Sequence, residues 1–213
     1  MDIITEELKN IRLCAYSGSA EAQYALGMKY YKGEDVEENK VEAFKWFKKS
    51  ALNGYDKAQL DLGYCYYKGE GTKINYKEAV KWFKKSAEQG NVLGKFNYSN
   101  CLYTGCGVKE NKQEGFKWLK QAAEEGLAIA QVNLGNRYLL AEEGYKKPEE
   151  AVKWYKLSAL QGNVNAQFNL ANCYYSGDGI AQNKEEAIYW YKKCAEQGHK
   201  KAIDFLKELK VIK

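Results

Sequence analysis

The chain has 213 residues, of which 45% are hydrophobic and 29% charged, with a formal net charge of +5. That balance describes a folded chain rather than a disordered one. One histidine, His199, argues against His-based triads and His-rich metal sites, and Arg at only two positions, Arg12 and Arg137, argues against base reading in nucleic acid.

The N-terminus, Met-Asp-Ile-Ile-Thr-Glu-Glu, has no basic stretch leading into an apolar one, so no secretory signal is read there. No apolar run approaches the ~20 residues of a membrane span. Residues 5–17 read as a lone helix. From Gly18 the chain repeats. Trp46, Trp82, Trp118, Trp154 and Trp190 fall at one constant interval. Gly18, Gly54, Gly90, Gly126, Gly162 and Gly198 keep the same interval, as do Ala22, Ala58, Ala130, Ala166 and Ala202, with Gly94 in the remaining place. A tandem array without insertions is the reading.

Slots are counted from each leading Gly as zero. In the first repeat, slots 4, 8, 9 and 12 are Ala22, Leu26, Gly27 and Tyr30, one face of a helix. A Gly-containing loop follows. Ala43, Phe44, Trp46, Phe47, Ser50 and Ala51 then mark a second helix, which the next leading Gly ends as a left-handed cap. In the fourth repeat Pro148 falls near the start of the second helix, where a missing N–H costs little. The expected fold is all-α, a right-handed α/α superhelical solenoid of five helix–turn–helix repeats in a single domain. The repeats span residues 18–53, 54–89, 90–125, 126–161 and 162–197. Residues 1–17 and 198–213 are expected to be capping helices, giving about twelve helices and no strand.

The second repeat carries Ala58, Leu62, Gly63, Tyr66, Gly69, Gly71, Ala79, Trp82, Phe83, Ser86, Ala87 and Gly90. This pattern resembles the Sel-one-like repeat, a subclass of the tetratricopeptide-like helical superhelices. Two repeats depart from it. The third has Gly94, Ser99 and Leu102 where Ala, Gly and Tyr are usual, and the fourth has Ala141-Glu142-Glu143-Gly144 in its inter-helix loop, which is expected to differ in shape. The resemblance implies a non-enzymatic protein–protein scaffold or adaptor with no cofactor and no metal. It also implies that the first helices line a concave groove, with slots 3, 6, 7, 10, 13 and 14 facing inward.

Slot 7 then supplies Asp61, Asn97, Asn133 and Asn169, and slot 10 supplies Tyr64, Asn100, Asn136 and Asn172. The two slots share a helix face. An amide both donates and accepts, so this double row can satisfy the backbone of an extended peptide. Tyr31, Tyr67, Tyr103 and Tyr175 at slot 13 add amphipathic contact area. Equally, the slot 7 amides can bond a neighbouring repeat's backbone, and the tyrosines can complete packing between repeats. The expected partner is a protein or peptide, not nucleic acid, and no membrane insertion is expected.

On the second helices, Lys45, Lys48, Lys81, Lys84, Lys117, Lys120, Lys153 and Lys156 alternate with Glu42, Glu78, Glu114 and Glu150, which reads as a solvated face. Five cysteines sit in repeat slots: Cys65, Cys101 and Cys173 at slot 11, Cys14 and Cys194 at slot 32. They read as small core residues, with Cys106 in a loop. No Cys-x-x-Cys occurs, which removes the zinc and thioredoxin-like signatures. Some relatives of the resembled family are secreted, cysteine-rich and β-lactamase-like or penicillin-binding, the alternative function. Here the cysteines lack that regular pairing. Reduced thiols point to the cytoplasm, or to export without a signal peptide. Gly69-Glu70-Gly71 and Gly105-Cys106-Gly107 have no preceding strand or following Gly-Lys-Ser/Thr, so they read as turns, not phosphate loops. His199 is expected on the solvated surface.

Overall fold

The computed structural model describes residues 5–140 and 146–212. The loop 141–144, expected to differ in shape, lies outside the described residues. Twelve helices and no strand occur among those described. They are α1 Glu6–Tyr16, α2 Ala20–Lys32, α3 Lys40–Leu52, α4 Asp56–Lys68, α5 Tyr76–Glu88, α6 Val92–Thr104, α7 Lys112–Glu124, α8 Ala128–Leu139, α9 Pro148–Leu160, α10 Val164–Ser176, α11 Lys184–Glu196 and α12 Lys200–Glu208. The chain divides into two compact units, Met1–Trp118 and Leu119–Lys213. In the first, α2 packs on α3 and α4 on α5, with α1 on α2, α3 on α4 and α5 on α6. In the second, α8 packs on α9 and α10 on α11, with α9 on α10 and α11 on α12.

Local chemistry sets these boundaries. Second helices start at an Asn whose side-chain oxygen accepts from the N–H of a Glu three residues on: Asn39 from Glu42, Asn75 from Glu78, Asn111 from Glu114 and Asn183 from Glu186. Each such cap stabilises a helix end by roughly 1 kcal/mol. In the fourth repeat Pro148 stands at the first helical position instead. The leading Gly ends each second helix. Gly18, at φ +98°, donates to Ala15 O while Ser19 donates to Cys14 O, which satisfies two otherwise orphaned carbonyls.

In three hairpins a Gly at slot 9 lies under the ring at slot 29, while the fifth repeat has Ala171 at slot 9, in one buried cluster with Tyr191. A Cβ on Gly27, Gly63 or Gly135 would sit 2.6–2.7 Å from the ring of Phe47, Phe83 or Tyr155 respectively. The third repeat departs at Gly94, where a Cβ would lie 2.8 Å from the N of Ala87, so α6 sits tightly on α5.

Two polar ladders join the helices, the first within each hairpin and the second also between hairpins. Ser50, Ser86 and Ser158 at slot 32 donate to the carbonyls of Ala20, Asp56 and Ala128 at 2.6, 3.0 and 2.7 Å, and Cys194 approaches Val164 O at 3.6 Å. Buried glutamines at slot 5 form the second ladder. Gln23, Gln59, Gln131 and Gln167 donate to the preceding second helix at Ala15, Ala51, Ala123 and Ala159. Each also accepts from slot 35 of its own repeat: Asn53, Gln89, Gln161 and Gln197. Bonding of the neighbouring repeat's backbone, considered above for the slot 7 asparagines, thus falls to slot 5.

Two expectations are corrected. Cys14 is exposed rather than in the core: among the described residues no helix packs over slot 32 of α1. His199 is half-buried rather than solvated. Its Nδ1 accepts from the N–H of Ala202 at 3.3 Å, capping α12, and its ring lies 4.6 Å from that of Phe168. The lysine face of the second helices carries the expected ion pairs, such as Lys45–Glu42 at 2.6 Å and Lys153–Glu150 at 2.5 Å, all exposed. No helix among the described residues is long and apolar enough to cross a membrane.

Candidate partner-binding surface

Stacking one hairpin on the next leaves a pocket between their first helices. Three such pockets are built from the same slots: 10, 13 and 29 of one repeat, and 7, 10, 11, 14 and 16 of the next. The first and second repeats form one of 160 Å³, the second and third another of 160 Å³. The fourth and fifth form one of 340 Å³. The ring at slot 29 that presses on slot 9 within the hairpin also forms the pocket wall.

The first pocket is anionic and aromatic. Asp61 accepts from the Tyr24 hydroxyl at 2.9 Å, and Tyr31 donates to Glu70 at 2.8 Å. Burial holds the Asp61 carboxyl above the usual range, partly offset by the Tyr24 hydroxyl. The bond to Glu70, with burial, pushes the Tyr31 phenol up to about 12. Rings of Tyr31, Tyr64 and Phe47 line the walls, with Lys68 at the rim.

The second pocket is neutral. Asn97 donates to the Tyr64 hydroxyl at 2.6 Å and to Leu93 O at 2.8 Å. Asn100, Thr104 and Tyr67 complete it, with Cys101 and Cys106. In the third, Asn136 Oδ1 accepts from both Tyr155 at 2.7 Å and Asn169 at 3.0 Å. Asn172 accepts from Tyr191 at 2.6 Å. In these two pockets slot 7 thus bonds slot 10 of the preceding repeat, side chain to side chain, whereas in the first Asp61 bonds Tyr24 at slot 6. The acceptor oxygens of Asn136 and Asn172 are engaged inside the chain by Tyr155, Asn169 and Tyr191.

The sequence-predicted residues divide. Tyr31 and Tyr64 line the first pocket; Tyr64, Tyr67, Asn97 and Asn100 the second; Asn136, Asn169 and Asn172 the third. Asn133 lines a separate hollow with Asn136, Asn169 and His199. Tyr175 is half-buried, edge-on to Phe205 at 5.0 Å. Tyr103 is buried and lines none of the three pockets: its ring lies where a Cβ on Gly115 would go. Sequence reasoning missed slots 11, 16 and 29. Slot 16 carries Glu70, Cys106 and Asp178, chemistry that a turn reading of Gly-x-Gly passes over. The slot 11 cysteines are buried as expected but also floor the pockets. Burial pushes the thiols of Cys65 and Cys101 up to about 12 and that of Cys173 to about 11, so they stay protonated and are poor nucleophiles at neutral pH.

The Sel1 repeat model matches at residues 20–55, 56–91, 93–127, 128–163 and 164–199. A protective antigen of uropathogenic Escherichia coli with an SLR fold is 33% identical, with a TM-score of 0.88 over 93% of this chain and 43% of its own. This chain therefore spans less than half the length of that antigen. A Sel1 repeat protein from Oxalobacter formigenes is 34% identical, with a TM-score of 0.83 over 96% of this chain and 78% of its own. Cysteine rich protein B of Helicobacter pylori is 22% identical, with a TM-score of 0.50 over 62% of this chain and 96% of its own, a likeness of fold alone. No curated protein matches the chain. Five matched repeats account for nearly all the described helices, and the chain belongs to the Sel1 repeat family.

Proposed function

We propose that the chain is a non-enzymatic scaffold that binds an extended segment of a protein partner along the face of its first helices. Sel1 repeat proteins are generally protein-interaction scaffolds. The observation that carries the reading is the recurrence of one pocket, from the same slots, between three pairs of successive repeats. A periodic series of small amphipathic pockets suits side chains projecting from an extended segment. The amide N–H groups beside them suit its carbonyls. A reducing compartment such as the cytoplasm suits the six free thiols.

The test needs variants that leave the fold intact. Asn136 and Asn172 hold tyrosine hydroxyls, so their removal confounds binding with stability. Asn100 is better placed: slot 29 of its own repeat is Leu119, which has no hydroxyl to donate. Tyr67 is 42% exposed. Partners recovered from the native organism by affinity purification and identified by mass spectrometry are re-measured with Asn100→Ala plus Tyr67→Ala. Lost binding with unchanged circular dichroism supports the groove. Full binding by the folded double variant overturns it.

A further inference from the structure

We propose that the pocket between the first and second repeats receives a cationic side chain, an arginine, of the bound segment. This rests on the groove reading above and names its chemistry at one pocket.

Asp61 reaches the pocket half-buried, and its one hydrogen bond comes from the neutral Tyr24 hydroxyl. None of the described lysines or arginines pairs with it. The slot 7 residues of the other two pockets are the neutral Asn97 and Asn169. Slot 16 differs likewise. In the third pocket Asp178 already pairs with Lys146 at 2.9 Å. In the first, Glu70 has the Tyr31 hydroxyl at 2.8 Å and only a distant rim lysine, Lys68, at 3.9 Å. The same Lys68 ammonium stands 5.7 Å from the Tyr64 ring centroid. One face of Tyr31 is taken by Lys40, 3.5 Å from its centroid, which leaves Tyr64 as the ring for an incoming cation. A guanidinium stacks on an aromatic face and bonds a carboxylate through two N–H groups at once. An ammonium does only part of this, so arginine outranks lysine, and glutamine, a shorter neutral amide, gains no charge term.

The probes are acetylated, amidated pentapeptides Gly-Gly-X-Gly-Gly with X as Arg, Lys or Gln, titrated into the full ¹⁵N-labelled chain. Saturable amide shifts at Tyr31, Asp61 and Tyr64 are expected for Arg, weaker ones for Lys and none for Gln. Asp61→Asn should weaken Arg binding about tenfold. That variant installs the residue found at slot 7 of the third and fifth repeats, so it is expected to fold, and its spectrum checks this directly. Equal shifts from the Gln peptide, or undiminished binding by Asp61→Asn, overturn the arginine assignment while leaving the groove standing. No shift at any groove residue with any peptide overturns both.

Discussion

The pocket of the first two repeats and that of the last two are built from the same slots and differ in how their polar groups are satisfied. Between repeats four and five, Asn136 gathers Tyr155 and Asn169, and Asp178 has Lys146. Every strong group there has a partner inside the chain. Between repeats one and two, Phe47 stands where Tyr155 would, Met28 where Asn136 would, and Asp61 has only a phenol. The fifth-repeat pocket uses its polar residues to hold its own wall. The first-repeat pocket builds its wall from apolar contact and has a carboxylate, Asp61, in its lining. One backbone template therefore separates a self-satisfied site from one whose Asp61 carboxylate has no cationic partner among the described residues.

The largest effect tests the shared template. Gly71 and Gly179 follow the slot 16 carboxylates at φ +69° and +77°. A Cβ on Gly71 would lie 2.0 Å from Lys40 O, and one on Gly179 2.3 Å from the carbonyl of Pro148. Gly71→Ala and Gly179→Ala should each cost about 3 kcal/mol, read as a lower urea midpoint. A tolerated substitution at one site alone would break the equivalence of the two loops.

Next comes the network. Tyr155 is almost fully buried, so Asn136→Ala strands both its hydroxyl and the Asn169 amide, at about 2 kcal/mol. Tyr155→Phe removes the donor and installs the residue type that Phe47 and Phe83 already provide at slot 29. It should cost less, about 1 kcal/mol. If Tyr155→Phe costs as much as Asn136→Ala, the amide network does not hold the wall.

Asp61→Asn should act in the opposite direction. Burial raises the Asp61 carboxyl above its unfolded value, so folding favours the protonated form. The penalty of holding the carboxylate is absent below the unfolded pKa and complete above the folded one. The Asn variant should thus be more stable at pH 7 by less than about 1 kcal/mol, with the gain vanishing as pH falls below the ordinary carboxylate range. Urea melts at several pH values check this. A variant less stable at pH 7 would show that the carboxylate is structurally required rather than held at a cost.

The repeat, its helices and most of its core were legible in the sequence because a fixed interval makes each slot visible several times over. Trp46 through Trp190 and the leading glycines need no structure to be aligned. That slots 7 and 10 share a helix face was legible from helical spacing, and their asparagines line the same pockets. What stayed hidden is pairwise. That Asn169 reaches Asn136, or that slot 29 forms a pocket wall, depends on how one hairpin lies on the next, and periodicity carries no information about that offset. Tyr103 shows the limit most clearly. Its slot reads as surface in Tyr31 and Tyr67, but the missing side chain of Gly115, in the next helix, draws its ring inward. Cys14 fails for a related reason: a slot means the same thing only where the neighbouring helix is present.

The smallest effect separates charge from scaffold at the two pocket rims. Lys68 and Lys146 are both more than half exposed, and their carboxylate contacts are 3.9 and 2.9 Å. Exposed pairs of this kind contribute roughly 0–1 kcal/mol and are screened by salt. Lys68→Ala should therefore shift the urea midpoint hardly at all, because the longer contact already contributes little. Lys146→Ala should cost slightly more at low salt, with the difference closing in high salt. Their effects on a bound cation should diverge. Without Lys68, the first pocket loses the positive charge that competes for Glu70 and Tyr64, so the Arg pentapeptide should bind more tightly. Without Lys146, the first pocket is untouched and its affinity should not change. Weaker Arg binding by Lys68→Ala would mean that the rim lysine helps to seat the segment, and the carboxylates would then not be the groups that attract it.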